Sequence, residues 1–170
     1  MELVLLGRAH KYGDNIDTDV IIPARYCSSF AMPDLAPHCL EDLDAGFAKR
    51  VRTGDILVAG KNFGCGSSRE NAPIAIKGVG VSVVIAASFA RIFFRNSINI
   101  GLPIIESPEA SMGISNNDEI RVDLKTGSIH NLTTGKVFQS ASFSNIVQEI
   151  VSAGGMVPFV KRRLASQNTK

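Results

Sequence analysis

Three short apolar runs, at residues 56–59, 81–86 and 102–105, are separated by two stretches of helical character, and this alternation constrains the chain more than any other feature. The first run follows the turn-forming pair Gly54-Asp55. It leads into a glycine-rich loop, Gly60-Lys61-Asn62-Phe63-Gly64-Cys65-Gly66-Ser67-Ser68. A helix is predicted from that loop to Lys77, with Gly78 as the residue that ends it. A second helix is predicted from Phe89 to about Ile98, with Ser88 as its cap. Short apolar runs without alternation suit strands buried on both faces. Strands joined through helices lie parallel, with right-handed crossovers. The predicted class is therefore α/β.

Outside this centre the pattern changes twice. Residues 3–6 suit a first strand, residues 12–15 are polar turn-formers, and Val20-Ile21-Ile22 reads as a second short strand stopped by Pro23. Residues 24–32 read as a loop. Asp34 offers an N-cap for a helix through about Asp42, with Pro37 tolerable in its first turn. After Pro108, Ile120, Val122 and Leu124 alternate with Arg121, Asp123 and Lys125, and turn signals stand at Thr126-Gly127 and Thr134-Gly135. That pattern predicts an antiparallel β-meander with one wet face per strand. Helical spacing returns at residues 143–151 and 156–164, ending in Lys161-Arg162-Arg163. One domain is expected over residues 1–170. Its α/β core would occupy 1–107, and the meander and C-terminal helices 108–170.

Composition removes several classes of function. The 170 residues are 45% hydrophobic and 20% charged, enough apolar material for a real core and too little charge for disorder. A net charge of +2, with 6% aromatics and no Trp, argues against nucleic acid, anionic lipid and a base-stacking platform. Cys27, Cys39 and Cys65 are odd in number and lack C-x-x-C spacing, which argues against a disulfide framework or a metal site within the chain. The most apolar window, residues 78–90, lies between Lys77 and Arg91 and is too short to span a bilayer. The N-terminal residues lack the pattern of a signal peptide. A cytoplasmic protein with no membrane and no nucleic-acid partner is expected.

Chemistry concentrates in Gly64-Cys65-Gly66-Ser67-Ser68-Arg69-Glu70. Gly64 and Gly66 let the backbone adopt positive φ and approach a ligand. Ser67 and Glu70 fit a capping box, which would start the helix at the serines; Pro73 would then lie well inside it, so the start could instead be near Asn71. In either register the serines meet the positive end of a helix, and Arg69 adds a guanidinium fork suited to carboxylate. Such a place can bind a carboxylated substrate or stabilise a serine alkoxide. It can also be no more than a tight strand-to-helix turn. Phosphate-loop and hydrolase-elbow patterns are absent, and spacing cannot place His10, His38 or His130 as a base. Arg91 and Arg95, four apart on the second predicted helix, share a face. They could neutralise a di- or tricarboxylate, meet a partner, or form a solvated basic face. Cys65 reads as packing, and Phe89, Ile92 and Phe93 read as core.

Residues 61–106, KNFGCGSSRENAPIAIKGVGVSVVIAASFARIFFRNSINIGLPIIE, resemble the signature of the small subunit of 3-isopropylmalate dehydratase and homoaconitase. Residues 13–26, GDNIDTDVIIPARY, match the same family's N-terminal motif. The resemblance implies a swivelling β/β/α domain like the C-terminal domain of aconitase. It also implies a partner, a large subunit whose 4Fe–4S cluster acts as Lewis acid, while this chain binds no cofactor of its own. By the same match Ser67 is the proton-transfer residue, on a loop shaped by Gly64, Cys65 and Gly66. Ser68 and Arg69 would then hold the substrate carboxylate and the serine oxyanion, and Asp19 would help orient them, although on pattern alone Asp19 reads equally as a turn or cap acid before a strand.

The loop of Tyr26, Cys27, Ser28, Ser29 and Phe30 would face the substrate's variable group. It has no arginine beyond Arg25, whereas relatives acting on tricarboxylates place one there. An alkyl group would gain from burial in such a loop, and an unpaired carboxylate would not. The implied reaction is dehydration and rehydration of an alkyl-malate, 2-isopropylmalate to 3-isopropylmalate in leucine biosynthesis. A homoaconitase small subunit, or that of another substituted-malate dehydratase, is the alternative within the family. A non-catalytic carboxylate-binding module is the alternative outside it. The isolated chain is expected to be inactive and open to self-association.

Overall fold

A computed structural model describes residues 3–167, so the domain expected over 1–170 reaches into residues 1–2 and 168–170, which lie outside the described residues. The apolar runs meet in one seven-stranded sheet of order β4-β3-β2-β1-β5-β6-β7. Its strands are β1 (Val4–Lys11), β2 (Ile56–Ala59), β3 (Val83–Ala86), β4 (Ile104–Glu106), β5 (Glu119–Asp123), β6 (Ser128–Asn131) and β7 (Val137–Gln139). Strands β1 to β4 are parallel neighbours, and β1 pairs antiparallel with β5 to open the predicted meander. Every residue of β2 and β3 is buried, as unalternating apolar runs require. Strand β5 alternates, burying Ile120 and Val122 while Glu119 and Arg121 face water.

Each face of the parallel strands has its own core. Leu57, Ala59, Val84 and Ala86 pack with Ile74 and Ile76 of α4 (Asn71–Gly78) and with Phe93 and Ile98 of α5 (Arg91–Asn99). On the other face Ile56, Val58, Val83 and Ile85 pack with Ile120, Val122 and Ile129 of the meander and with Ala110 of α6 (Pro108–Gly113). The sheet therefore curls until its antiparallel half covers the back of its parallel half. The chain closes with α7 (Asn145–Ala153) and α8 (Met156–Gln167).

Several expectations need correction. Val20-Ile21-Ile22 is not a strand: Thr18–Ile21 forms a one-turn helix, α1, capped by the Asp17 carboxylate, which accepts from Val20 N at 2.8 Å. Three apolar residues satisfy one helical turn as well as a strand, and the cap decides. The helix expected from Asp34 to Asp42 is broken. Met32–Leu35 forms α2 and Ala36–His38 a 3-10 turn, because Pro37 has no N–H to continue the ladder, and a further single turn, α3 (Phe47–Arg50), precedes β2. Asp34 lies inside α2 rather than capping it. The supposed loop at 24–32 begins with a 3-10 turn at Ala24–Tyr26.

Of the two registers left open for α4, the capping box at Ser67 does not form and the start at Asn71 is observed, with Glu70 as a cap residue that makes no side-chain bond. Gly78 stays within the helix, and Gly80, with φ +106°, takes the left-handed turn after it. Ser88 does not cap α5, whose N-cap is Ala90; its hydroxyl accepts from Asn62 N at 2.8 Å. Phe93 is buried, Phe89 only partly, and Ile92 is exposed. Helix α6 was not expected, although Ser107-Pro108 is a cap followed by a proline at the first helical position.

Candidate active site

The two sequence motifs are stitched together over their length. Gly60 N donates to Gly13 O at 3.0 Å, Asn15 N to Lys61 O at 2.8 Å, Gly64 N to Ile16 O at 2.7 Å and Thr18 N to Cys65 O at 2.8 Å. Thr18, buried at the start of α1, also donates its hydroxyl to Ser67 O at 3.0 Å. On its other side the loop is held by residues leading into α5: Phe63 N donates to Ser88 O and Ala90 N to Phe63 O, both at 3.0 Å. The serine-bearing loop is thus clamped at its base, while Gly66, Ser67 and Ser68 remain exposed.

Beside the serines, Arg69 forms an ion pair with Asp19 of α1. The Arg69 side chain is 21% exposed and that of Asp19 53%. A guanidinium is therefore held at the rim with its pairing partner open to water, where an incoming carboxylate can compete for it. Asn71 joins the loop of residues 26–30 to this centre: buried at the first position of α4, its side-chain amide donates to Ser29 O at 2.6 Å. Ser29 Oγ in turn donates to Asp34 Oδ2 at 2.6 Å and accepts from Ala31 N at 3.0 Å. Tyr26 and Cys27 are partly buried, Ser28 and Phe30 exposed. Phe30 lines a groove of about 270 Å³ with Met32, Ile74 and Val157.

Ser67, Ser68, Arg69 and Asp19 thus come together, with Ser29 tied to them through Asn71. Arg91 and Arg95 do not join them by any bond. Both are exposed on α5, in a shallow cleft with Phe89, Phe94 and Glu106, and neither is hydrogen-bonded to Ser67, Ser68 or Arg69 among the described residues. Cys65 is partly exposed rather than buried. Thr18 and Asp17 escaped the sequence reading, which named Asn71 only as a possible helix start. Asp17-Thr18 ahead of an apolar turn was a legible cap signal. Nothing local announced that Asn71 would reach a loop 42 residues away.

The donor set does not fit a metal cluster. Among the described residues no group of three or more His, Cys, Asp or Glu side chains could hold a metal ion. Cys39 is wholly buried, and burial pushes its thiol far above the usual range, away from the thiolate a metal needs. No described helix is long and apolar enough to cross a membrane.

The description "Aconitase C-terminal domain" belongs to the family model that matches residues 33–110. A curated relative from Caldicellulosiruptor bescii, named 3-isopropylmalate dehydratase small subunit, is 62% identical over 162 residues, covering 95% of this chain and 98% of its own. One of the same name from Caldicellulosiruptor saccharolyticus is 61% identical, covering 95% and 94%. The crystal structure of 3-isopropylmalate dehydratase from Methanocaldococcus jannaschii superposes with a TM-score of 0.92 at 44% identity, covering 98% of both chains. Likeness of this extent reaches from the curled sheet to the loop that carries Ser67, and the chain belongs to the family of 3-isopropylmalate dehydratase small subunits.

Proposed function

We propose that this chain is the small subunit of a two-chain hydro-lyase that converts 2-isopropylmalate to 3-isopropylmalate in the cytoplasm, a step of leucine biosynthesis. The observation that carries the proposal is the exposed Ser67-Ser68 pair, fixed at its base by Thr18 and flanked by the Arg69–Asp19 pair. Ser67 Oγ, as alkoxide, takes the proton from the carbon next to a substrate carboxylate. The C–H electron pair becomes the C=C bond as hydroxide leaves the neighbouring carbon. In the return step water re-adds with exchanged positions, hydroxyl to one carbon and the Ser67 proton to the other. Arg69 and the Ser68 hydroxyl hold the carboxylate, and Asp19 keeps the guanidinium aimed while the site is empty.

Departure and return of hydroxide call for a Lewis acid. The family resemblance assigns that chemistry to a 4Fe–4S cluster of the large subunit, which would supply it at this site. The variable group lies against Cys27, Ser28 and Phe30, where an alkyl substituent gains from burial and an unpaired carboxylate loses. Arg91 and Arg95 belong to the outer rim, toward the large subunit or a distal carboxylate.

The test is Ser67→Ala in the complex reconstituted with its large subunit. Turnover of isopropylmalate should fall by about 10²–10⁴-fold, the usual worth of a positioned proton-transfer group, with complex formation unchanged on gel filtration. A variant within a few-fold of the native complex overturns the assignment. Turnover of homoaconitate in preference to isopropylmalate would move the chain to the tricarboxylate branch.

A further inference from the structure

The substrate-facing loop is anchored at its foot by a closed ring of side-chain contacts. The Arg25 guanidinium spans both oxygens of Asp42, with Nη1–Oδ2 at 3.0 Å and Nη2–Oδ1 at 2.6 Å, and also donates to Glu41 Oε1 at 2.5 Å. The other Glu41 oxygen is 2.6 Å from His38 Nδ1. The His38 ring stacks on Tyr26 with centroids 3.6 Å apart and planes 7° from parallel. Arg25 closes the ring, its guanidinium carbon 4.9 Å from the Tyr26 centroid. Leu40 makes the geometry available: fully buried, with φ +59° and its N–H bonded to Ile21 O at 2.9 Å, it turns the chain so that Glu41 and Asp42 follow directly beside Arg25.

An isolated exposed ion pair is worth little, because solvent screens it and two long side chains lose freedom. This cluster departs from that case. A bidentate arginine, a second carboxylate and a stacked pair of rings share members, so no side chain in the ring turns without breaking two contacts. The ring ends at Tyr26, the first residue of the loop, and the Ser29 contacts to Asn71 and Asp34 fix the far end. Cys27, whose N–H donates to Ala24 O at 3.1 Å, and Ser28 lie between the two anchors.

We propose that Glu41 and Asp42 are specificity-positioning residues. They hold Arg25 and Tyr26 as a rigid foot for the loop, and they occupy the loop's one guanidinium so that it is withheld from carboxylate-bearing substituents. This rests on the reading that residues 26–30 face the substrate's variable group. Neither carboxylate touches substrate; both act through Arg25 and Tyr26.

The experiment compares kcat/KM of the reconstituted complex for isopropylmalate and for a methyl-substituted malate. Two variants break the ring from opposite sides, Glu41→Gln/Asp42→Asn and Arg25→Met. In both, preference for the branched substituent should fall about tenfold, mainly through KM for isopropylmalate, since the alkyl group is bound equally in ground and transition states. Asp42→Glu keeps the carboxylate and should restore most of the preference. Arg25 and Asp42 are exposed, Glu41 is partly buried, and the amide exchanges are nearly isosteric, so folding is expected to survive; circular dichroism checks it. An unchanged preference in both ring-breaking variants overturns the proposal. So does an equal loss of kcat on both substrates, which would mark a merely structural role. A native complex inactive on both malates removes the functional reading beneath, and the proposal with it.

Discussion

Gly64 and Gly66 stand two residues apart in one loop with φ of +76° and +90°, yet they are needed for different reasons. A Cβ on Gly64 would lie 2.1 Å from Phe93 Cγ, inside the ring that seats the loop against α5, whereas one on Gly66 would meet only ordinary contacts at 3.5 Å with Asp17 and Thr18. Gly64→Ala combines overpacking with left-handed strain and should destabilise the protein by about 2–4 kcal/mol. Gly66→Ala carries strain alone, about 1 kcal/mol. Urea unfolding separates them; equal losses would mean that Phe93 moves aside. Both glycines were legible in the sequence as positions of close backbone approach. The Arg69–Asp19 pair was legible only as two chemically suitable residues, because 50 residues separate them and no local pattern encodes the meeting. Thr18 stayed hidden for the opposite reason. Its hydroxyl serves the backbone of Ser67, a role that any small polar residue could advertise.

At the scale of elements, the long signals held and the short ones were overridden. Buried runs of β2 and β3 and the alternation of β5 state their environment directly, so those strands fall where expected. The Ser67–Glu70 capping box failed because tertiary bonds reached that loop first: Thr18 takes the carbonyls of Cys65 and Ser67, and the helix waits until Asn71. Helices α4, α5 and α7 are coupled by one side chain that the sequence did not mark. Lys77, half-buried near the end of α4, donates to Ile100 O at 2.5 Å and Gly154 O at 3.2 Å, the terminal carbonyls of α5 and α7. Burial lowers its pKa from the usual lysine range, while two helix C-termini favour a cation there. Lys77→Met should destabilise by about 1–2 kcal/mol, leaving two carbonyls without their charged donor. Hydrogen exchange should quicken in α7 and α8 while β2 and β3 keep their protection; a uniform acceleration would show that Lys77 supports the whole core instead.

At the scale of the molecule, the class, the meander and the terminal helices could be read from the chain, but not that the two halves share one sheet. That union depends on β1 changing partners along its length. Residues 4–8 pair with β5, and residues 9–11 pair with β2. Where the two pairings part, Asp55 closes the gap: its carboxylate accepts from Arg8 N at 3.1 Å, Arg52 N at 2.9 Å and the His10 ring at 2.8 Å. Burial alone would raise the Asp55 pKa, but the His10 ring and the two backbone donors outweigh it and hold the carboxyl below the usual range. A carboxyl depressed in the folded state stabilises fully above its unfolded pKa of about 3.9, and the gain is lost as pH falls through the lower folded value. Asp55→Asn keeps the shape and removes the charge. It should cost about 2 kcal/mol at neutral pH, the loss of bonds to a charged acceptor. The difference from the native chain should shrink as pH falls below about 4. Urea titrations at both ends of that range decide it. A penalty independent of pH would assign the junction to packing around His10 and Phe47, whose rings meet edge-on at 5.4 Å, rather than to the carboxylate that bridges the two pairings.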